Sequence, residues 1–160
     1  MPIVMKYQGI DGESTIEGFA KYTELSSFEF GVGRRIASAR GTSTREGGDA
    51  NLSEIVVRKK TDGTTIKYFE EACTGKLNKD VEIGFLRTGA GKSEEYLNFK
   101  MQGCGVAGLS FKSSGGQDVR PEEVLHLNFD KLTVKYNPIG DDFSGNPASY
   151  GWDLAKATKL

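Results

Sequence analysis

The stretch Gly89-Ala90-Gly91-Lys92-Ser93 is the part of this 160-residue chain closest to a phosphate-binding loop. Such a loop needs G-x-x-x-x-G-K-[S/T], because the first glycine opens the turn and the amides that follow cradle the phosphates. The first glycine would fall at position 86, which is Leu86. A helix must also follow, with its N-terminus facing the anion, whereas residues 95–101 alternate as a strand does. The stretch is read as a glycine-rich hairpin turn. The lone histidine, His126, stands in Leu125-His126-Leu127, on the face opposite the apolar residues. A triad would need a nucleophile and an orienting carboxylate beside it, and the sequence places neither, so a surface or interface histidine is expected. The carboxylate pairs Glu70-Glu71, Glu94-Glu95, Glu122-Glu123 and Asp141-Asp142 are adjacent rather than i, i+2. In strands they point to opposite sides, so they are expected as solvated charges. Cys73 and Cys104 fall short of the four clustered ligands of a zinc site and are expected to sit as small apolar residues. No catalytic residue, cofactor site or metal site is expected.

The composition describes the scaffold that would carry such groups. Lys and Arg number 21 against 22 Asp and Glu, a net charge of −1, which excludes an obvious nucleic-acid binder. Glycine is the outlier at 21 residues, nearly twice the usual share of about 7%. With only four Pro but nine Phe and six Tyr, the chain suggests many turns around an aromatic-rich all-β core. Residues 1–160 are expected to form one domain, long enough to bury a core without metal or disulfide. The opening MPIVMKYQGIDGES has no apolar run of the secretory type, and no stretch approaches the roughly 18 apolar residues of a membrane span. The protein is expected to be made in the cytoplasm, not to insert in membranes, and to leave the cell, if it does, without a cleaved signal peptide.

Period-2 patterning predicts strands over residues 3–8, 22–32, 52–60, 80–87, 94–112 and 123–137. Within 22–32, Phe28, Phe30 and Val32 share one face. Within 80–87, Val81, Ile83 and Phe85 do. The strand 94–112 alternates as Leu97, Phe99 and Met101, breaks at Gly103-Cys104-Gly105, and resumes as Ala107, Leu109 and Phe111. The glycine pair predicts a bulge or sharp bend at a barrel corner. In 123–137 the apolar positions are odd (Leu125, Leu127, Phe129) and then even (Leu132, Val134, Tyr136), which predicts a bulge near Asp130-Lys131. Only residues 65–76 change period: Ile66, Phe69, Cys73 and Leu77 fall near helical spacing, one apolar stripe to lay against a sheet. Seven or eight strands and one helix predict a closed or nearly closed barrel.

Two stretches follow neither period. Residues 33–51 form a polar loop, longer than the 12–15 residues or so beyond which loops are usually functional, and carry Arg34, Arg35, Arg40 and Arg45 with Glu46 and Asp49. The mixed charge and the lack of interleaved aromatics argue against nucleic acid, and contact with a neighbouring subunit suits these residues better. Residues 137–149 are the second stretch.

From residue 10 to residue 154 the chain resembles the haemolysin-coregulated (Hcp) proteins, tube components of bacterial type VI secretion. The likeness rests on Gly12-Glu13-Ser14, on Ser53-Glu54-Ile55-Val56-Val57 with Lys59, and on Arg120-Pro121 with Glu123. It continues through Leu125, Leu127-Asn128-Phe129 and Lys131 to Tyr150-Gly151-Trp152-Asp153. Two departures are local: Gly18-Phe19 where many members carry a histidine nearby, and His126 where serine is common. The resemblance implies a β-barrel of two antiparallel sheets with one flanking α-helix and a long extended loop. It implies a homo-hexamer whose rings stack into a tube, behind a spike protein and inside a contractile sheath, with small effector proteins in the lumen. It also implies secretion from a Gram-negative cell to the medium or into a target cell, and no enzymatic activity. By analogy, Arg34, Arg35, Arg40, Arg45, Glu46 and Asp49 would lie at a ring-stacking or subunit interface. The alternatives are a phage-type tail-tube protein and a monomeric ligand-binding barrel.

Overall fold

The computed structural model describes residues 1–36, 47–89, 91–117, 119–138 and 146–160. In chain order the strands are β1 (Ile3–Tyr7), β2 (Thr23–Leu25), β3 (Ser27–Glu29), β4 (Val32–Gly33), β5 (Asn51–Leu52) and β6 (Ile55–Lys60). Helix α1 (Thr65–Thr74) follows, then β7 (Lys79–Gly89), β8 (Lys92–Lys112), β9 (Glu122–Asn128), β10 (Lys131–Tyr136), β11 (Ala148–Asp153) and β12 (Thr158–Lys159). All pairings are antiparallel. One ladder runs β12-β11-β10-β8-β7-β1-β2, a second runs β3-β6-β9-β8, and β4-β5 stands apart. Of the closed or nearly closed barrel expected, the mainly β architecture of antiparallel ladders with one helix is present: among the described residues the two ladders share β8, and the chain runs on from β2 in one to β3 in the other at Ser26.

The chain passes between ladders once through α1 and, directly, at three further points, two of which the sequence marks. The predicted strand over residues 22–32 is broken into β2, β3 and β4, because Ser26 is where the chain leaves β1 and joins β6; its N–H donates to the Arg58 carbonyl at 2.7 Å. Strand β8 pairs with β7 and β10 up to Cys104, then with β9 from Gly105 onward. Gly103 makes the bend with φ 63°, and a Cβ there would stand 2.5 Å from Asp130 Oδ2. Only glycine combines that backbone region with that clearance. The phase switch predicted near Asp130 is a third crossing rather than a bulge within one strand: β9 ends at Asn128, and β10 begins at Lys131 in the other ladder.

Between the ladders Met5, Tyr7, Ile55, Val57, Val81, Ile83, Met101, Leu125 and Leu127 are buried. Phe28 packs edge-on to Phe85 at 5.1 Å and tilted against Phe99 at 4.7 Å between ring centroids. Past the bend, of the expected Ala107, Leu109 and Phe111 only Leu109 packs against the core. A register shift between Val106 and Gly108 turns Ala107 outward, Cys104 and Val106 are buried, and Phe111 is exposed.

The helix carries the main correction. It forms where expected but lays Thr65 and Tyr68 against the strands, not the apolar stripe. Tyr68 is fully buried, edge-on to Tyr7 at 5.6 Å, with its hydroxyl 3.0 Å from Thr23 Oγ1. An amphipathic tyrosine with its hydroxyl bonded buries more surface than Ile66 would, and it holds the opposite face of the helix inward. Ile66, Phe69 and Leu77 are left 74%, 53% and 66% exposed, and Cys73 is exposed with them. Among the described residues, no helix is long and apolar enough to cross a membrane.

Candidate functional site

The segment read as one polar loop starts and ends on a ladder. Val32 and Gly33 pair with Leu52 and Asn51, Ile36 bridges Gly47, and the Gly48 N–H donates to the Arg35 carbonyl at 2.7 Å. Ser53 clamps the base: its Oγ accepts from the Gly31 N–H at 2.9 Å, and its own N–H donates to the Gly31 carbonyl at 2.9 Å. The base of the arm, residues 31–36 with 47–53, is thereby held as a ladder. Arg34, Arg35 and Asp49 stand exposed on this base, while Arg40, Arg45 and Glu46 lie outside the described residues. The Arg34 guanidinium lies over Gly47, where a Cβ would meet its Cζ at 2.9 Å.

Beside the arm lies a groove of about 360 Å³. Phe30, Val32 and Leu52 form one wall; Leu132, Val134 and Trp152 form the other, and Arg34 and Asp49 bring one charge of each sign. Leu132 is buried at its floor and Phe30, Leu52, Val134 and Trp152 are half-buried, while Val32 and Tyr150 stand exposed at its rim. Exposed apolar surface of this kind marks interaction sites.

A second cluster sits at the start of α1. Lys59 and Glu123 are cross-strand partners, both fully buried, with Nζ 2.5 Å from Oε2. Lys59 Nζ also lies 3.1 Å from Asp62 Oδ1 and 5.6 Å from the centre of the Tyr68 ring, and the Thr65 hydroxyl donates to Glu123 Oε2 at 3.0 Å. Glu123 Oε1 has no hydrogen-bond partner. Burial alone would raise the Asp62 pKa, but hydrogen bonds from the Thr64 hydroxyl and amide and from the Lys59 ammonium hold it below the ordinary carboxylate value. The arrangement ties β6, β9 and α1 together. Glu123 is therefore not the solvated charge the sequence suggested. Nor is Glu95, which is half-buried and titrates above its ordinary value chiefly through burial. Asp141 and Asp142 lie outside the described residues.

The other sequence candidates are dispersed. Gly89 pairs with Lys92 across a hairpin in which Gly91 takes φ 79°, and Ala90 lies outside the described residues. His126 is half-buried in β9, opposite Val56 and Gly108. Cys104 is the buried apolar residue expected, and burial pushes its thiol up to about 12, but Cys73 is exposed. Among the described residues no three His, Cys, Asp or Glu side chains gather as a metal-holding group. Sequence reasoning found the arm but missed the groove and the outward helix face. The alternation of Leu132 and Val134 was visible, whereas the groove they share with Phe30, Val32 and Leu52 was not.

Comparison with known proteins follows this geometry. The family model for the type VI secretion system effector Hcp matches residues 4–136. No curated protein sequence matches significantly. A solved type six secretion system protein is 25% identical, with a TM-score of 0.90 over 99% of both chains. Hcp1 from Salmonella typhimurium is 17% identical, with a TM-score of 0.79 over 99% of this chain and 98% of its own. A chain of the anti-feeding prophage baseplate is 9% identical, with a TM-score of 0.54 over 83% of this chain and 90% of its own. These last two are likenesses of fold alone.

Proposed function

Because the chain belongs to the Hcp family of type VI secretion, whose model spans residues 4–136, we propose that six copies close into a ring and that rings stack into the inner tube. The protein is a tube subunit and a secreted component of that system; its work is mechanical. The observation that carries the ring reading is an apolar groove beside the laddered base of the arm. Each would be satisfied by a neighbouring copy. In this reading the two ladders act as one barrel wall, continued through the strands that pass between them at Ser26 and Gly103. Arg34, Arg35 and Asp49 at the arm's base, with Arg40, Arg45 and Glu46 beyond it, make charge-assisted contacts across the subunit or ring joint. A spike protein at the tip, a contractile sheath outside and small effectors in the lumen complete the assembly, which leaves the cell without a cleaved signal peptide.

Size-exclusion chromatography with light scattering, followed by negative-stain imaging, tests the reading. Six chains of 17.4 kDa give a particle of about 104 kDa, expected as rings. A 17 kDa species at every concentration would refute it and favour an isolated ligand-binding barrel.

A further inference from the structure

Helix α1 and the groove are complementary surfaces on separate faces of the molecule. Tyr68 packs α1 over Tyr7 of β1 and Thr23 of β2, and the helix lies against β8. The groove is walled by β10, β11 and the base of the arm, and no residue of α1 lines it. A second copy can bring the two faces together. Positions 66, 69, 70 and 73 fall within about 100° of arc on a helix of 3.6 residues per turn. Ile66, Phe69 and Cys73 thus form an outward apolar strip, with Glu70 on it and Lys67 at its flank, all exposed. The groove offers the matching set: an apolar floor with one base, Arg34, and one acid, Asp49.

We propose that the outward strip of α1 in one copy seats in the groove of the next, with Glu70 meeting Arg34 and Lys67 meeting Asp49. The pairing rests on the tube-subunit reading and deepens it by naming the two faces that meet. Because the two faces differ, the contact is heterologous, the type that rotation closes into a ring. An apolar strip in an apolar groove supplies the buried area, and the charges fix register and exclude the reversed orientation.

The test uses the full chain and its own thiol. Ala50 lines the groove and is half-buried. With Cys73 exposed and Cys104 buried, Ala50→Cys is expected to give, on mild oxidation, a ladder of covalent oligomers that ends at the closed ring. Adding Cys73→Ser abolishes the ladder. Arg34→Glu alone and Glu70→Arg alone are each expected to weaken association about tenfold, and the two combined in one chain restore it. Ring-sized particles in which Ala50→Cys forms no crosslink would overturn this pairing and leave the tube-subunit reading intact. A double charge exchange no better than the single reversals would overturn the Glu70–Arg34 contact. A protein monomeric under every condition would overturn both readings.

Discussion

Removing one member of the Lys59–Glu123 pair is expected to cost far more than removing both. Each side chain is fully buried, and they meet at 2.5 Å. Breaking a buried pair by deleting one partner costs about 3–5 kcal/mol, because the survivor is left charged in a poor solvent. The two deletions are not equivalent. Glu123→Leu leaves the Lys59 ammonium 3.1 Å from Asp62, so its cost should fall near the low end, about 3 kcal/mol. Lys59→Met leaves a carboxylate whose Oε1 is already without a partner and whose Oε2 keeps only the Thr65 hydroxyl, so its cost should approach about 5 kcal/mol. The double variant Lys59→Met/Glu123→Leu buries apolar groups of similar volume and should lie within about 1 kcal/mol of the parent. The assay is urea denaturation at one fixed protein concentration, since association shifts apparent stability. With a slope of about 2 kcal/mol per molar urea, Glu123→Leu should lower the midpoint by about 1.5 M. The reasoning fails if Lys59→Met is the milder of the two, or if the double variant loses the sum of both.

Two further outcomes follow from the same structure. The Asp62 carboxyl is held below its ordinary value, so its contribution to stability is fully present above the unfolded pKa of about 3.9 and disappears as pH falls through the lower folded value. Urea titrations stepped from pH 5 to pH 3 should show a steeper loss for the parent than for Asp62→Asn, and parallel curves would count against the assigned bonds. Gly103→Ala should destabilise by at least about 1–2 kcal/mol, since φ 63° is unfavourable for a residue with a Cβ and Asp130 Oδ2 blocks the space; a neutral effect on thermal unfolding would show that the bend does not need glycine.

Much of the fold was legible because its signals are local. A strand's period of two shows in Val81 and Ile83 or in Leu125 and Leu127 whatever lies opposite. The glycines around Cys104 and the phase switch near Asp130 marked two of the three crossings between ladders. The break at Ser26 left no comparable mark, because a strand that changes partners keeps its alternation. The arm was visible as a long polar stretch with four arginines, although its laddered base depends on Val32 finding Leu52.

By itself, the sequence determined through patterning the helix and the strands of the main body, though not β11 and β12, and through resemblance, carried by many residues in order, the family and the mechanical kind of function that goes with it. Only the tertiary structure decided which side of α1 faces inward. The stripe of Ile66, Phe69 and Cys73 states that the helix has an apolar face, and spacing does not say whether the same chain covers it. Tyr68 won the interior by reaching both Tyr7 and Thr23. The pairing of Lys59 with Glu123, 64 positions apart, was equally invisible, since two charges in separate strands declare themselves a pair only once the strands lie side by side. The groove joins residues 30–34 and 48–52 with β10 and β11, a property of the assembled sheets that no segment of the chain carries alone.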